Sequence, residues 1–153
     1  MVRPDTYATL NDAEAYLSLG LGDEHDAWFE ATEERKYQAL ESATRLMLRL
    51  PWKGLKATVG QRLWHPIAGE DEIPQDLVDA CTLTASALLD QRRPEEEYMS
   101  VGRSGERYGP VSESRDTSLQ APHFVAGIPS LEAWRLIRPY IMSDGLVNIM
   151  RVD

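Results

Sequence analysis

The segment from Ile73 to Leu89 constrains the fold most, because its apolar side chains recur at the spacing of an α-helix. Its apolar stripe consists of Ile73, Leu77, Cys81, Thr84 and Leu88, widened by Val78, Ala85 and Leu89. Pro74 suits the first turn of this helix, and Arg92-Arg93-Pro94 predicts its end. The interspersed alanines are small enough to let a neighbouring helix approach closely. The segment therefore predicts a long helix that packs against other helices.

Two further helices are predicted ahead of this one. Thr9 and Asp12 form a capping-box pattern for the first, which we expect to end at Gly20. Thr32 suits the cap of a longer helix that Pro51 stops, and "DEHDAWFEA" between the two helices reads as a turn. The longer helix carries an apolar stripe at helical spacing: Tyr37, Leu40, Ala43, Met47 and Leu50.

The composition changes after residue 94. From Ser100 to Pro129, twelve of thirty residues are Gly, Pro or Ser, and such a segment cannot bury enough apolar surface to order itself alone. Pro129 begins a short predicted helix, with Leu131, Trp134, Ile137 and Ile141 on one face. The stretch "LVNIMRV" reads as a strand without a sequence partner. It is expected either to add to a partner's sheet edge or to lie on its own helices.

The predicted fold class is all-α: a small helical bundle with a long extended C-terminal arm that carries a short helix and a terminal β-strand. The helical core domain spans residues 1–94 and the arm spans residues 95–153. A chain of 153 residues can bury a sizeable core without disulfides or metals. Cys81 is the only cysteine, and no apolar run or N-terminal apolar region predicts a membrane span or a signal peptide.

The charge is acidic overall and unevenly placed. The net charge of −9 argues against general electrostatic binding to nucleic acid. Residues 1–34 carry a net charge of −8, residues 35–62 carry +6, residues 63–98 carry −7, and the remainder is neutral. Blocks of alternating sign can pair within one fold or between identical copies, or they can form a solvated surface with local helix pairs.

No residue constellation predicts a reaction, a cofactor or a metal site. His25, His65 and His123 lie far apart and lack the local spacing of a zinc site. Cys81 lies on an apolar stripe, which favours a small core residue over a nucleophile. The carboxylate runs are typical of solvated loops and helix ends. We therefore expect that the chain is not an enzyme.

One segment is basic and has tryptophans nearby. Its members are Arg35, Lys36, Arg45, Arg49, Lys53, Lys56 and Arg62, with Trp52 and Trp64. Basic residues interleaved with aromatic ones are typical of single-strand nucleic-acid binders. The alternative is that both tryptophans are core residues and that the cations face solvent or a neighbouring acidic subunit.

The irregular stretch that precedes the central helix contains predicted structural anchors. Trp52 and Trp64 are expected to hold this loop against the helices, and Pro66 to shape its turns. Gln61 would satisfy backbone groups that an irregular chain leaves unpaired. The loop is therefore interpreted as a scaffold feature.

The order of motifs resembles a known family. These motifs are "TYATLNDAEAYL", "KYQALESATRLMLRLPWKG", Gln61, "LWHP", "EIPQDLVDACTLTASALL", "SVGRSGERYGPVS" and "IPSLEAWRLIRPYI". Together, from about Thr6 to Ile141, they resemble the small head–tail connector, or adaptor, proteins of tailed bacteriophages. Some relatives carry the label DnaT-like single-stranded-DNA-binding protein. The chain departs from the family where relatives often read tryptophan, proline, arginine and this sequence has Trp64, His65 and Pro66.

The resemblance implies an all-helical structural protein without catalysis. Such adaptors assemble as a ring, commonly twelvefold, beneath the portal protein in the neck of the virion, after synthesis in the host cytoplasm. The ring extends the DNA channel, and DNA is a partner only as the contents of that channel. The ring also offers a platform for a downstream neck, stopper or tail protein. No membrane is involved. The alternative is a single-stranded-DNA-binding accessory protein of phage replication.

These expectations assign residues to two surfaces. The predicted subunit interface consists of Arg45, Arg49, Lys53, Glu14 and Asp79. The predicted portal-docking arm presents Tyr108, Phe124, Trp134, Leu146, Val147, Ile149 and Met150.

Overall fold

The computed structural model describes residues 6–21, 24–53, 72–91 and 126–142. Within them lie five α-helices and a short 3-10 helix: α1 (Leu10–Leu17), α2 (Asp26–Glu30), α3 (Glu33–Leu48), α4 (Gln75–Leu89), α5 (Leu131–Ile137) and the 3-10 helix Arg138–Tyr140. These ranges contain no β-strand, which confirms the all-α prediction. The predicted terminal strand lies outside the described residues, as do Gln61, Trp64, Pro66, Tyr108 and Phe124.

Two predicted helix caps are confirmed. The Thr9 hydroxyl accepts a hydrogen bond from the Asp12 backbone N–H at 3.2 Å, and the Asp12 carboxylate accepts one from the Thr9 N–H at 3.0 Å. The Thr32 hydroxyl accepts from the Arg35 N–H at 3.4 Å and caps α3. These side chains satisfy backbone donors that the first turn of a helix leaves without partners.

Two local predictions near the N-terminus are wrong. Helix α1 is capped at its C-terminus by Ser18 instead of Gly20, because the Ser18 N–H still bonds to the Glu14 carbonyl while the chain turns after it. The segment predicted as a turn forms α2. The Trp28 and Phe29 N–H groups both donate to the His25 carbonyl, at 2.9 and 3.2 Å.

Helix α4 lies at the centre of the structure. Helices α1, α2, α3 and α5 all pack against it, and every residue from 80 to 87 is buried. Small residues allow this close approach: Ala80, Cys81, Ala85, Ser86 and Ala87. The predicted apolar stripe therefore underestimates the burial, which extends around the helix.

Two buried threonines on α4 satisfy their hydroxyl hydrogen bonds within the helix. The Thr82 hydroxyl donates to the Val78 carbonyl at 3.0 Å, and the Thr84 hydroxyl donates to the Ala80 carbonyl at 2.8 Å. Such bonds to the preceding turn remove the cost of burying a polar group without a partner. Threonine can therefore occupy core positions of α4 at small cost.

Helices α3 and α4 run antiparallel. They meet where the Thr44 hydroxyl, in the C-terminal half of α3, lies 3.6 Å from the sulfur of Cys81 at the middle of α4. The chain just before α2 reaches the C-terminal half of α4, because His25 contacts Ser86, and α2 leads from there into α3. The chain just after α3 reaches the N-terminal end of α4 through Tyr140, whose hydroxyl donates to the Asp76 carboxylate at 3.1 Å.

Residues 126–142, which fall in the predicted arm, pack into the same core. Trp134 is 4% exposed, and Ala133, Ile137 and Ile141 are also buried. A single antiparallel bridge joins Trp52 to Ile141. Trp134 therefore does not belong to an exposed docking surface in this structure, and the compact unit extends beyond the predicted boundary at residue 94.

Leu131 differs from its prediction in the same region. The sequence places it on one face of the short helix with Trp134 and Ile137, which are buried, yet Leu131 is 45% exposed. It is the first residue of α5, where the side chain lies at the rim of a pocket instead of against the core.

We expect replacement of Trp52 by alanine to lower the free energy of unfolding by roughly 3–5 kcal/mol, as for other buried aromatic residues. The Trp52 indole is buried, packs 6.2 Å from the Tyr7 ring centroid and donates to the Met47 carbonyl at 2.9 Å. Chemical denaturation measures the change. The control is Leu21→Ala, at an 89% exposed position, which should change stability by no more than about 0.5 kcal/mol. Equal effects of the two substitutions would contradict the prediction.

Candidate functional site at the two ends of the helical core

The antiparallel packing gives the two ends of the core opposite charge. The acidic end consists of Glu24, Asp26, Glu30, Glu33, Glu34, Asp90 and Glu132. The basic end consists of Arg45, Arg49, Lys53 and Arg138. All eleven residues are exposed. Each end also contains some charge of the other sign. Arg35 lies near the acidic end, and Glu72 and Asp76 lie near the basic end. The acidic and basic charges therefore predominate at their ends without being the only charges there.

A pocket opens at the acidic end. Its volume is about 210 Å³, and its floor is formed by Leu83, Ser86 and Ala87 of α4. The full lining is Glu24, His25, Leu83, Ser86, Ala87, Asp90, Ser130, Leu131 and Glu132. Three carboxylates thus reach one pocket from three separate elements: the connection before α2, the end of α4 and the first turn of α5.

Exposed apolar side chains lie at the same end. Leu131 is 45% exposed and lines the pocket, and Phe29 of α2 is 50% exposed. Leu19 and Leu21 are also exposed, on either side of Gly20. A Cβ atom at Gly20 would lie 3.0 Å from the His25 ring, so this strip of chain passes beside the pocket residue His25. Apolar groups surrounded by acidic ones are typical of an interaction surface.

Ser86 and His25 form a hydrogen-bonded pair in this pocket, which raises the question of nucleophilic catalysis. The Ser86 hydroxyl and His25 Nδ1 are 3.1 Å apart. A catalytic serine needs a histidine that a third group orients through its other nitrogen. His25 Nε2 instead faces Gly20, where an added Cβ would lie 3.4 Å away. The pair thus holds the connection before α2 against α4.

The basic end keeps exposed cations. Arg45 donates to the Glu41 carboxylate at 2.8 Å, one turn away on α3, yet its side chain is 62% exposed. An exposed pair of this kind contributes little free energy, so Arg45 can exchange this partner for another carboxylate at small cost. Lys53 donates to the Pro139 carbonyl at 3.0 Å. Lys56 and Arg62 of the predicted basic segment lie outside the described residues.

The tryptophans of the described chain do not offer ring faces to a nucleic-acid base. Trp28, Trp52 and Trp134 are all buried. Trp52 is therefore a core residue, in agreement with the second interpretation of the basic segment. Phe29 is half exposed but lies at the acidic end, away from Arg45 and Arg49.

Two acidic residues of the predicted subunit interface have partners within the chain. The Glu14 carboxylate lies 2.8 Å from the Lys36 ammonium, which is itself 5.6 Å from the centroid of the buried Trp28 ring. The Asp79 carboxylate accepts from the Gln75 amide at 2.9 Å. The acidic and basic blocks of the sequence thus pair partly within the fold.

The sequence did not point to Glu24 and Glu132 as members of one site. They lie far apart along the chain, and only the packing of α2 and α5 on α4 brings them to one pocket. The pKa of the nearby Tyr16 responds to the negative charge in this region. Its pKa is raised by burial, and further by the carboxylates of Asp79 and Glu132.

Cys81 is chemically protected. It is fully buried between α3 and α4, and burial raises the pKa of its thiol from an ordinary value of 9.0 to about 11, while a hydrogen bond with the Thr44 hydroxyl acts in the opposite direction. A thiol that stays protonated near neutral pH is a poor nucleophile.

Within the described ranges no group of three or more His, Cys, Asp or Glu side chains suits a metal ion, and no helix there is long and apolar enough to cross a membrane.

The comparison with protein families identifies the chain. A family model described as "Putative DnaT-like ssDNA binding protein" matches residues 2–114, well over half of the 153 residues. The chain belongs to this DnaT-like family. The matched range contains α1 to α4 and the acidic end except for Glu132, whereas α5 lies beyond it. Neither the curated proteins nor the solved structures yielded a match.

Titration of Cys81 should make the DnaT-like fold sensitive to alkaline pH. Because the folded pKa is about 11 and the ordinary value is 9.0, the unfolded chain loses this proton first. Stability is therefore complete below about pH 9 and falls between pH 9 and 11, by roughly 2–3 kcal/mol. Denaturant titrations at several pH values measure this change.

The control for this titration is Cys81→Ala, which removes the thiol while other groups still titrate. The loss of stability between pH 9 and 11 should be smaller in the variant by that amount. Parallel pH profiles for the two proteins would contradict the role of the thiol.

Proposed function

We propose that this DnaT-like chain is a structural protein of the phage virion: a head-to-tail adaptor that forms a ring beneath the portal protein in the neck. The opposite charge at the two ends of the core carries the proposal. The order of sequence motifs from "TYATLNDAEAYL" to "IPSLEAWRLIRPYI" supports it through their resemblance to phage adaptors. The ring would extend the DNA channel and provide a platform for a stopper or tail protein.

A ring needs two different surfaces that fit each other. Head-to-tail contacts use one patch on one copy and another patch on the next, and they close into a ring when the rotation between copies is suitable. The acidic and basic ends lie at opposite ends of α4, whose 15 residues span about 22 Å. A subunit with complementary charge on opposite ends is suited to such contacts.

The buried centre also suits a structural role. Helix α4 is enclosed by four other helices, and its Thr82 and Thr84 hydroxyl groups bond within the helix. A core of this kind holds the two ends at a fixed separation. The thiol of Cys81 and the Ser86–His25 pair are used inside the fold, so the described residues offer little for a reaction.

Single-stranded-DNA binding is the second candidate, and the description of the DnaT-like family favours it. Arg45, Arg49 and Lys53 would supply phosphate contacts. Against it stand the net charge of −9 and the burial of Trp28, Trp52 and Trp134, because such binders use exposed aromatic rings as stacking platforms.

Co-sedimentation with the cognate portal ring should distinguish the two candidates. We expect saturable binding of this protein to the portal with about one copy per portal subunit, because each subunit of a ring meets equivalent portal surfaces. A single-stranded oligonucleotide of 30 or so nucleotides at moderate salt is expected not to bind. Binding to the oligonucleotide that falls steeply with salt, without portal association, would overturn the adaptor proposal.

Deletion of residues 143–153 should abolish docking on the portal and leave the helical core folded. The reason is that the predicted strand of Leu146, Val147, Ile149 and Met150 is expected to add to a partner's sheet. Portal co-sedimentation and circular dichroism measure the two properties. The matched control is Asn148→Ala, which keeps the apolar residues and should dock normally. Retained docking by the truncated chain would refute this role for the segment.

A further inference from the structure

We propose that the pocket at the acidic end receives the arginine-bearing end of α3 from a second copy of this chain. In this contact Glu24 and Glu132 of one copy pair with Arg45 and Arg49 of the next. The inference rests on the proposed self-assembly and names the surfaces that carry it.

The negative charge at the pocket favours the binding of a cation. Glu24 and Glu132 have no basic group within ion-pair distance among the described residues, although they face the same pocket. The pocket also lies at the C-terminal end of α4, which carries a partial negative charge and has no basic residue in its last turn, while Glu132 offsets the partial positive charge at the start of α5. Negative groups gathered in this way raise the local attraction for a positive side chain.

Local helix stability accounts for only some of the carboxylates at this end. Acidic residues stabilise the first turn of a helix, and Glu33 and Glu34 of α3 and Glu132 of α5 lie in such turns. Asp90 instead caps the C-terminus of α4, where a negative charge is unfavourable. Arg92 and Arg93 follow it in the sequence, outside the described residues, so the charge reversals that test the contact are placed at Glu24 and Glu132.

The shape and lining of the pocket suit a long basic side chain. Its volume of about 210 Å³ is more than ten times the roughly 10–15 Å³ that a cavity needs to hold one water molecule. Leu83, Ala87 and Leu131 supply apolar surface for the methylene stem of an arginine. The carboxylates at the rim then meet the guanidinium group, whose planar donors pair well with carboxylates.

The end of α3 presents the matching groups. Arg45, Leu48 and Arg49 lie on one side of the helix, because residues three and four apart are neighbours on a helical surface. Both arginines are exposed, and Leu48 between them is partly exposed. This apolar side chain flanked by two cations complements Leu131 flanked by Glu24 and Glu132.

One copy cannot make this contact with itself. His25 ties the pocket to the C-terminal half of α4, whereas the chain that follows α3 lies near Asp76 at the N-terminal end of α4. Ser86 and Asp76 are ten residues apart along α4, about 15 Å, so the two surfaces lie apart within one copy. The contact must join different copies.

Paired charge reversals in the full-length chain test the proposal. R45E/R49E reverses the arginine surface, and E24R/E132R reverses the pocket. Either variant alone should weaken self-association about 10- to 100-fold, measured by sedimentation both in solution and on the portal ring, because like charges then face each other. An equimolar mixture should restore association. The acidic α3 end of one variant fits the basic pocket of the other, and the two unreversed surfaces also fit.

The matched control is E30R/E33R, which makes the same change of charge at the acidic end but outside the pocket lining. It should weaken self-association by less than E24R/E132R does, because its charges lie outside the pocket, and circular dichroism should confirm that all variants are folded. Failure of the mixture to associate, or self-association of either reversed variant at the level of the unaltered chain, would overturn the contact. Absence of self-association by the unaltered chain, in solution and on the portal, would overturn it as well.

The outcomes separate this contact from the proposed function. If the reversed variants self-associate normally and all proteins still bind the portal, the contact is wrong and the adaptor function stands. If the unaltered chain does not bind the portal, the function itself fails.

Discussion

The structure depends on the burial of α4 by helices on all sides. This helix is the only element of the described chain that α1, α2, α3 and α5 all contact, and residues 80–87 are buried without a break. Close approach requires small side chains, which Ala80, Ala85 and Ala87 provide. It also requires that the buried hydroxyl groups find partners, which Thr82 and Thr84 do within the helix. A large residue at one of the alanines would push a neighbouring helix away, since a packed core tolerates added volume poorly.

The orientation of α3 against α4 gives the molecule its electrical polarity. Helix α3 begins with two glutamates and ends near two arginines, an order that its own dipole favours. Because α3 and α4 are antiparallel, the glutamates lie towards the C-terminal end of α4, and the connection before α2 and the start of α5 bring Glu24 and Glu132 to the pocket at that end. Pairs such as Glu14–Lys36 neutralise part of the alternating charge inside the fold. The charge that remains at the two ends underlies both the proposed ring and the proposed contact.

Much of the helical framework could be predicted from local sequence, and the candidate site could not. Thr9, Asp12 and Thr32 specify helix starts through side-chain bonds that span three residues, so a short sequence window contains the information. Helix α2 was missed because its five residues are too few to display a hydrophobic period. Leu131 lies on the apolar face of its helix in the sequence pattern and is nevertheless exposed, because periodicity does not reveal where a helix overhangs its neighbour. The pocket residues Glu24, Asp90 and Glu132 carry no common sequence signal.

The sequence by itself determined that the chain forms helices, where several of them begin, and that its charge alternates in blocks. These properties depend on residues close together along the chain, through backbone capping and helical periodicity. Only the tertiary structure decided that α5 joins the core through Trp134 and the Trp52–Ile141 bridge, and that three distant carboxylates line one pocket. Those arrangements follow from which helix faces pack together, and packing depends on shape and burial between segments that the linear order of residues keeps apart.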